Sequence, residues 1–206
     1  MKPVIALTKG RLEKQFLAYF ESLDFDVEPL LDKGRKLRIE TSEFSFFFAK
    51  GVDVTTYVEN GIADLGVVGG DILIEHKPDV YDLFPLPFGH CRMALATKAN
   101  YEWPNQKKRI ASTFTNITNA YFKEKGESVD IIKLEGSVEL APILGLADAI
   151  VDIVETGTTL KENGLVIADE FLHFSARLIA NRSTLKVKRQ QLVPVIERFK
   201  KGVNEE

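Results

Sequence analysis

The chain alternates short apolar runs with stretches whose apolar residues recur at helical spacing. Val4 to Leu7 is the first run; Thr8-Lys9-Gly10-Arg11 follows, and Leu12, Phe16, Leu17 and Phe20 then fall on one helical face. That order predicts strand, polar loop and helix. Lys36 to Glu40 and Glu43 to Ala49 are strand-like runs separated by Thr41-Ser42, a hairpin-like excursion. The opening pattern returns at Arg109-Ile110-Ala111-Ser112-Thr113, ahead of a helix-like stretch through Tyr121 and Phe122. A second pair repeats in the same order: Gly61-Ile62-Ala63-Asp64 precedes an apolar run from Leu65, and Gly145-Leu146-Ala147-Asp148 precedes another from Ala149. Two such pairs predict two similar α/β lobes. Strands alternating with helices predict parallel sheets with ligands outside the carboxyl ends of strands, and in two lobes the cleft between them is the default site.

The lobe boundary is expected around Pro85-Leu86-Pro87-Phe88-Gly89, where two prolines and a glycine should interrupt pairing after Val80-Tyr81-Asp82-Leu83. The expected division is residues 1–88 plus 176–206 for the first lobe and 89–175 for the second. In the tail, Leu178-Ile179-Ala180 reads as a strand and Gln190 to Phe199 as a helix interrupted early by Pro194. That tail should return to pack on the first lobe.

With 206 residues, 45% hydrophobic and 28% charged, the chain has enough apolar surface for a sizeable core and falls outside the disordered classes. A net charge of -3 argues against a nucleic-acid coat, since counterion release needs clustered Lys and Arg. Seven basic residues against the single acid Glu197 between Arg182 and Lys201 read as a solvated helix face. Cys91 is the only cysteine and His76, His90 and His173 are scattered, so no zinc spacing exists. No stretch approaches the ~18 apolar residues of a membrane span and no signal h-region opens the chain, which implies a cytoplasmic protein.

The segment richest in chemistry runs from Glu135-Gly136-Ser137-Val138-Glu139 to Asp152-Ile153-Val154-Glu155-Thr156-Gly157-Thr158-Thr159-Leu160. A buried strand delivers the Asp152 carboxylate and then a small, hydroxyl-rich loop; with a helical turn opening at Leu160, Thr156 to Thr159 would offer N–H groups and hydroxyls to a phosphate monoester. A strand followed by a Thr-rich N-cap is the plain alternative. Asp152 and Glu139 suit ribose hydroxyls or a magnesium ion, although Glu139 equally fits as first-turn negative charge of a helix. Lys9 and Arg11, flanking Gly10 at a strand-to-helix junction, are candidates for a polyphosphate. Asp71, after Gly69-Gly70, is either a site carboxylate or a helix N-cap. No GxxxxGK[ST], GxGxxG or GxSxG is present.

These segments, with Asp53-Val54-Thr55-Thr56-Tyr57-Val58-Glu59-Asn60-Gly61-Ile62-Ala63-Asp64-Leu65-Gly66 and Ser175-Ala176-Arg177-Leu178-Ile179-Ala180-Asn181, resemble the ATP phosphoribosyltransferase family in its short form, over nearly the whole chain. The resemblance implies two lobes like those of type II periplasmic binding proteins, with both substrates in the cleft. It implies transfer of phosphoribosyl from phosphoribosyl pyrophosphate to N1 of ATP, with release of pyrophosphate, inversion and a need for Mg²⁺, as the first step of histidine biosynthesis. By the same resemblance Asp152 to Leu160 bind the ribose 5-phosphate, Glu139 and Asp152 sit by the ribose, and Lys9, Gly10, Arg11, Lys50 and Asp71 handle nucleotide and pyrophosphate. Lys9, Arg11, Glu139 and Asp152 are the expected catalytic groups; magnesium travels on the substrate, and no dedicated nucleophile is expected. Three positions depart from the family pattern: Thr8 for a usual proline, Lys50 for a usual arginine and Gly70 for a frequent longer side chain. Short-form members lack a C-terminal regulatory domain and pair with a regulatory subunit resembling histidyl-tRNA synthetase, so a homodimer within a hetero-octamer is implied, with no nucleic acid or membrane partner. The rival readings are a two-lobed ligand-binding module, which would share the fold without the chemistry, and an inactive scaffold subunit.

Overall fold

In a computed structural model that describes residues 2–105 and 107–203, the chain divides into two compact units. One comprises the chain up to His90 and from Phe174 onward; the other is Cys91–His173. Met1 and residues 204–206, the ends of the expected first lobe, and Gln106 in the second lie outside the described residues.

The first pass through unit one gives β1 (Val4–Thr8), α1 (Arg11–Ser22), α2 (Glu28–Leu31), β2 (Arg38–Glu40), β3 (Ser45–Ala49), α3 (Gly51–Glu59), β4 (Leu65–Gly69), α4 (Gly70–His76) and β5 (Tyr81–Pro85). Unit two follows with β6 (Cys91–Lys98), β7 (Lys108–Ser112), α5 (Thr115–Glu124), β8 (Val129–Lys133), α6 (Leu140–Ile143), β9 (Ala149–Val154), α7 (Thr158–Glu162) and β10 (Leu165–Phe174). The chain then re-enters unit one as β11 (Ala176–Ala180), α8 (Arg182–Val187) and α9 (Arg189–Lys201).

The sheets are mixed rather than parallel. Their orders are β2-β3-β1-β4-β11-β5 and β10-β6-β9-β7-β8. β1 runs parallel to β3 and β4, and β7 parallel to β8 and β9, as helical crossovers require. The antiparallel strands are β2, paired with β3 as a hairpin, and those that enter each unit from the other: β11 lies against β4 and β5, and β6 against β9. A strand arriving from outside the βαβ series has no crossover helix to set its direction.

The two sequence repeats occupy the same structural place. Ile5 pairs with Leu65 and Ile110 with Ala149, so each Ala-Asp pair lies just before the strand beside the repeated Ile-Ala. Asp64 N–H donates to Val4 O (2.9 Å) while its carboxylate accepts Val4 N–H (2.9 Å). Asp148 does the same with Arg109, at 2.8 and 2.7 Å. Each buried carboxylate closes the start of the parallel neighbour strand, β1 in unit one and β7 in unit two, and is balanced by a cation: Lys188 Nζ at 2.8 Å from Asp64, and the Arg109 guanidinium at 3.1 Å from Asp148. Repetition is therefore written in the bonding as well as in the residue types.

Unit one's core is a phenylalanine cluster. Phe16 and Phe20 of α1 meet Phe25, Phe44 and Phe46, with Phe20 and Phe25 stacked at 4.1 Å between centroids. α9 inserts Phe199, 6.0 Å from the Phe16 ring, and Leu192, both fully buried. The expected break at Pro194 does not occur; α9 continues through it. Pro194 and Gln190, whose carbonyl loses the helical N–H, are both exposed, so that carbonyl is open to solvent and the lost bond costs little. Nor is the basic stretch only a solvated face: Lys188 holds Asp64, and Arg198 donates to Leu23 O and Asp24 O and covers the Phe25 ring. Pairing likewise extends to Pro85, opposite Arg177, because β5 is an edge strand where a missing N–H costs no ladder bond. Among the described residues no helix is long and apolar enough to cross a membrane.

Candidate functional site

In unit one the candidate residues gather where β1, β3 and β4 end. Lys9 N–H donates to Ala49 O (2.9 Å), tying the turn after β1 to the end of β3, and Thr8 Oγ1 donates to Val67 O (2.8 Å). Lys9 and Lys50 consequently line one open groove of about 590 Å³ with Phe48, Asp53 and Tyr57. Gly10 is the N-cap of α1, and Glu13 of the first turn accepts the Gly10 N–H (3.4 Å), so Lys9 and Arg11 leave a fixed turn.

Asp71 is not an N-cap, because α4 already starts at Gly70 and Asp71 belongs to its first turn. Its carboxylate folds back over Gly69, where a Cβ would stand 2.1 Å from Oδ1, so any side chain at 69 would displace the Asp71 carboxylate. Burial raises the Asp71 pKa, against the pull of the N–H groups of Asp71 and Ile72 and of the positive charges of His76 and Arg11. Arg11 and Asp71 are thus electrostatic neighbours, and Lys9 and Lys50 share a groove.

In unit two, β9 is a central strand carrying the half-buried Asp152 opposite Ala94. Ile153 is half-buried, Val154 enters the core, and the chain turns through exposed Glu155 and Thr156. Gly157 adopts φ 78°, the left-handed region, which lets the helix begin at once. α7 therefore opens at Thr158, ahead of the turn expected from Leu160. Thr156 and Thr158 bring their hydroxyls to 3.0 Å, Thr159 is exposed, and Leu160 plugs the core beside Val154. The result is a short polar turn anchored at both ends by buried aliphatic side chains. Glu139, half-buried, stands at the N-cap of α6 without bonding to its N–H groups. Its placement leaves the carboxylate unspent on the helix.

One support was invisible in the sequence. Arg92 Nη1 donates to Glu155 O (2.8 Å), pinning the turn from β6, and the same guanidinium pairs with Glu170 on β10 at 2.8 Å. The bond to Glu155 spans 63 residues and follows no motif. The β6 to β9 pairing, with Arg92 opposite Val154, creates it, and β10 on the other side of β6 brings Glu170 alongside.

The family model for ATP phosphoribosyltransferase matches residues 50–201. An ATP phosphoribosyltransferase of Bacillus cytotoxicus is 50% identical over 198 residues, covering 95% of this chain and 94% of that protein. The chain belongs to the ATP phosphoribosyltransferase family. A Bacillus cereus member is 49% identical over 97% of this chain and 96% of its own length. Among solved structures, an ATP phosphoribosyl transferase (HisG:HisZ) complex from Thermotoga maritima superposes with a TM-score of 0.83, at 36% identity over 99% of this chain and 100% of that one. The alkanesulfonate-binding protein SsuA from Xanthomonas axonopodis pv. citri shares the fold alone, with a TM-score of 0.62 at 13% identity over 98% of this chain and 72% of that one.

Two of the three departures from the family pattern have local reasons. Thr8 uses a hydroxyl that proline lacks to hold Val67 O. Gly70 has no room for a longer side chain, since a Cβ would lie 2.9 Å from Phe174 Cβ and 3.1 Å from Ser175 O. Lys50 caps α3 with extended backbone and no side-chain bond to that helix.

Proposed function

We propose that this ATP phosphoribosyltransferase divides its substrates between its two units. Thr156 to Leu160 and the N–H groups opening at Thr158 receive the 5-phosphate of phosphoribosyl pyrophosphate, Asp152 and Glu139 address the ribose, and Lys9, Gly10, Arg11, Lys50 and Asp71 serve ATP and the departing pyrophosphate. The observation that carries this reading is near-50% identity over 95% of the chain to an enzyme of that name, together with a glycine-opened polar turn directly after Asp152.

In the reaction, the lone pair on N1 of ATP forms a bond to ribose C1 as the bond from C1 to the pyrophosphate oxygen breaks, with inversion. Negative charge grows on pyrophosphate and positive charge on the ribose ring. Lys9, Arg11 and Lys50 stabilise the first; Asp152 and Glu139 lie by the second. N1 is already nucleophilic, so orientation of two bound substrates supplies most of the acceleration, on the order of 7–11 kcal/mol. Magnesium, carried as the chelate of the substrate's pyrophosphate, would neutralise charge on the leaving group. Among the described residues no group of three or more His, Cys, Asp or Glu stands together as a metal site. The carboxylates that are present are hard oxygen donors suited to share such an ion.

The Thermotoga maritima neighbour is a HisG:HisZ complex, which supports a second subunit for this chain too; in this reading the partner is regulatory and histidyl-tRNA synthetase-like, and the assembly is a homodimer inside a hetero-octamer. In this reading the enzyme works in the cytoplasm. Chromatography of a reaction containing the purified chain, Mg²⁺, ATP and phosphoribosyl pyrophosphate tests the activity: a phosphoribosyl adduct of ATP is expected. Free ribose 5-phosphate without adduct would contradict it.

A further inference from the structure

Unit one holds a cation that neither the motifs nor the reaction scheme uses. Lys33 lies between α2 and β2, with its side chain only 26% exposed and its ammonium 3.8 Å from the Phe48 ring centroid. Phe48 lines the same groove as Lys9 and Lys50. Glu13 joins these parts: Oε2 accepts the Gly10 N–H at 3.4 Å, and Oε1 pairs with Lys33 Nζ. A single carboxylate thus ties the Thr8 to Arg11 turn to a lysine 20 residues further along the chain.

Lysine ordinarily keeps its head in water, whereas here the Glu13 carboxylate and the Phe48 ring hold it in one place, with another ammonium near. Burial first, and the charge of Lys9 second, lower the Lys33 pKa from its ordinary value. Lys33 stands over the ring of Phe48, which lines the groove, and a polyanion bound beside Lys9 and Lys50 would reverse the repulsion between Lys9 and Lys33. Neutral or cationic ligands would not.

We propose that Lys33 is a further ligand of the polyphosphate taken by unit one, joining Lys9 and Lys50, with Glu13 the positioning residue that aligns it to the turn after β1. The inference rests on the reading of unit one as the side that handles nucleotide and pyrophosphate. Calorimetric titration of Mg²⁺-pyrophosphate, and separately of ATP, into the wild type, Lys33→Met and Lys33→Arg tests it. Lys33→Met should lose about tenfold in pyrophosphate affinity, the effect of removing one charged hydrogen bond, and its binding should weaken less on adding salt. Lys33→Arg should recover most of that loss. A purely structural lysine would lower the thermal midpoint of Lys33→Met while leaving pyrophosphate affinity unchanged, which overturns the proposal, as does a wild type that does not bind pyrophosphate. Turnover is read in parallel. Normal turnover with unchanged affinity in Lys33→Met removes this inference and leaves the function standing; Lys33-dependent pyrophosphate binding without any adduct of ATP does the reverse.

Discussion

Asp148 and Asp152 are four residues apart on one segment and have opposite tasks. Asp148 is 5% exposed and holds Arg109 N–H, the Arg109 guanidinium and, at 2.7 Å, the Tyr101 hydroxyl. Burial pushes its carboxyl up, but those donors together pull it further down, leaving the pKa below the ordinary value. A carboxyl depressed in the folded state stabilises the protein above its unfolded pKa and loses that contribution as pH falls through the folded one. Asp148→Asn should therefore destabilise at neutral pH, and denaturant titrations should find the gap to wild type closing below about pH 4. A gap that persists in acid would mean that packing, not charge, is what Asp148 supplies. Asp152 is half-buried within β9, two residues before that strand ends and the polar turn begins. Asp152→Asn should cut turnover by about a hundredfold or more with an unchanged circular-dichroism melt, the size expected for one group acting on transition-state charge. Near-normal turnover would remove the ribose role from it.

At the scale of elements, α9 shows where stability is concentrated. Its Phe199 ring packs against Phe16, Phe20 and Phe25, and its carbonyl accepts the Tyr19 hydroxyl. Phe199→Ala should cost roughly 3–5 kcal/mol in unfolding free energy, measured by urea titration, and a loss below about 1 kcal/mol would show that the tail is dispensable to the core. Helix α1 was legible from Leu12, Phe16, Leu17 and Phe20 because its periodicity is local, and the β2–β3 hairpin from its turn. Prolines 85 and 194 misled for one reason. A proline signals a lost N–H, but whether that loss matters depends on whether the position is a sheet edge or a wet helix face, and only tertiary structure decides this. Arg92 and Lys33 were illegible on the same ground, since each acts on a residue brought near by strand pairing or by a loop.

The whole molecule is one plan used twice, β3-β1-β4-β11 answered by β8-β7-β9-β6. The repeated Ile-Ala and Gly-x-Ala-Asp segments carried that plan in the sequence, because buried aspartates closing a strand leave little freedom in residue type. The direction of β6 and β11 was hidden, because antiparallel entry is set by connectivity between units and leaves no periodic mark. Duplication also explains how one fold serves two chemistries: the turn after β1 is rich in Lys and Arg, whereas the turn after β9 is rich in Thr and Gly. A scaffold of this kind binds ligands without reacting, as SsuA does with MOPS, so the fold alone leaves catalysis open. The direct measurement is pyrophosphate release by the purified chain from phosphoribosyl pyrophosphate and Mg²⁺, with and without ATP, alone and with a histidyl-tRNA synthetase-like partner. Release that requires ATP is the predicted result; release independent of ATP, or none under either condition, would contradict the account.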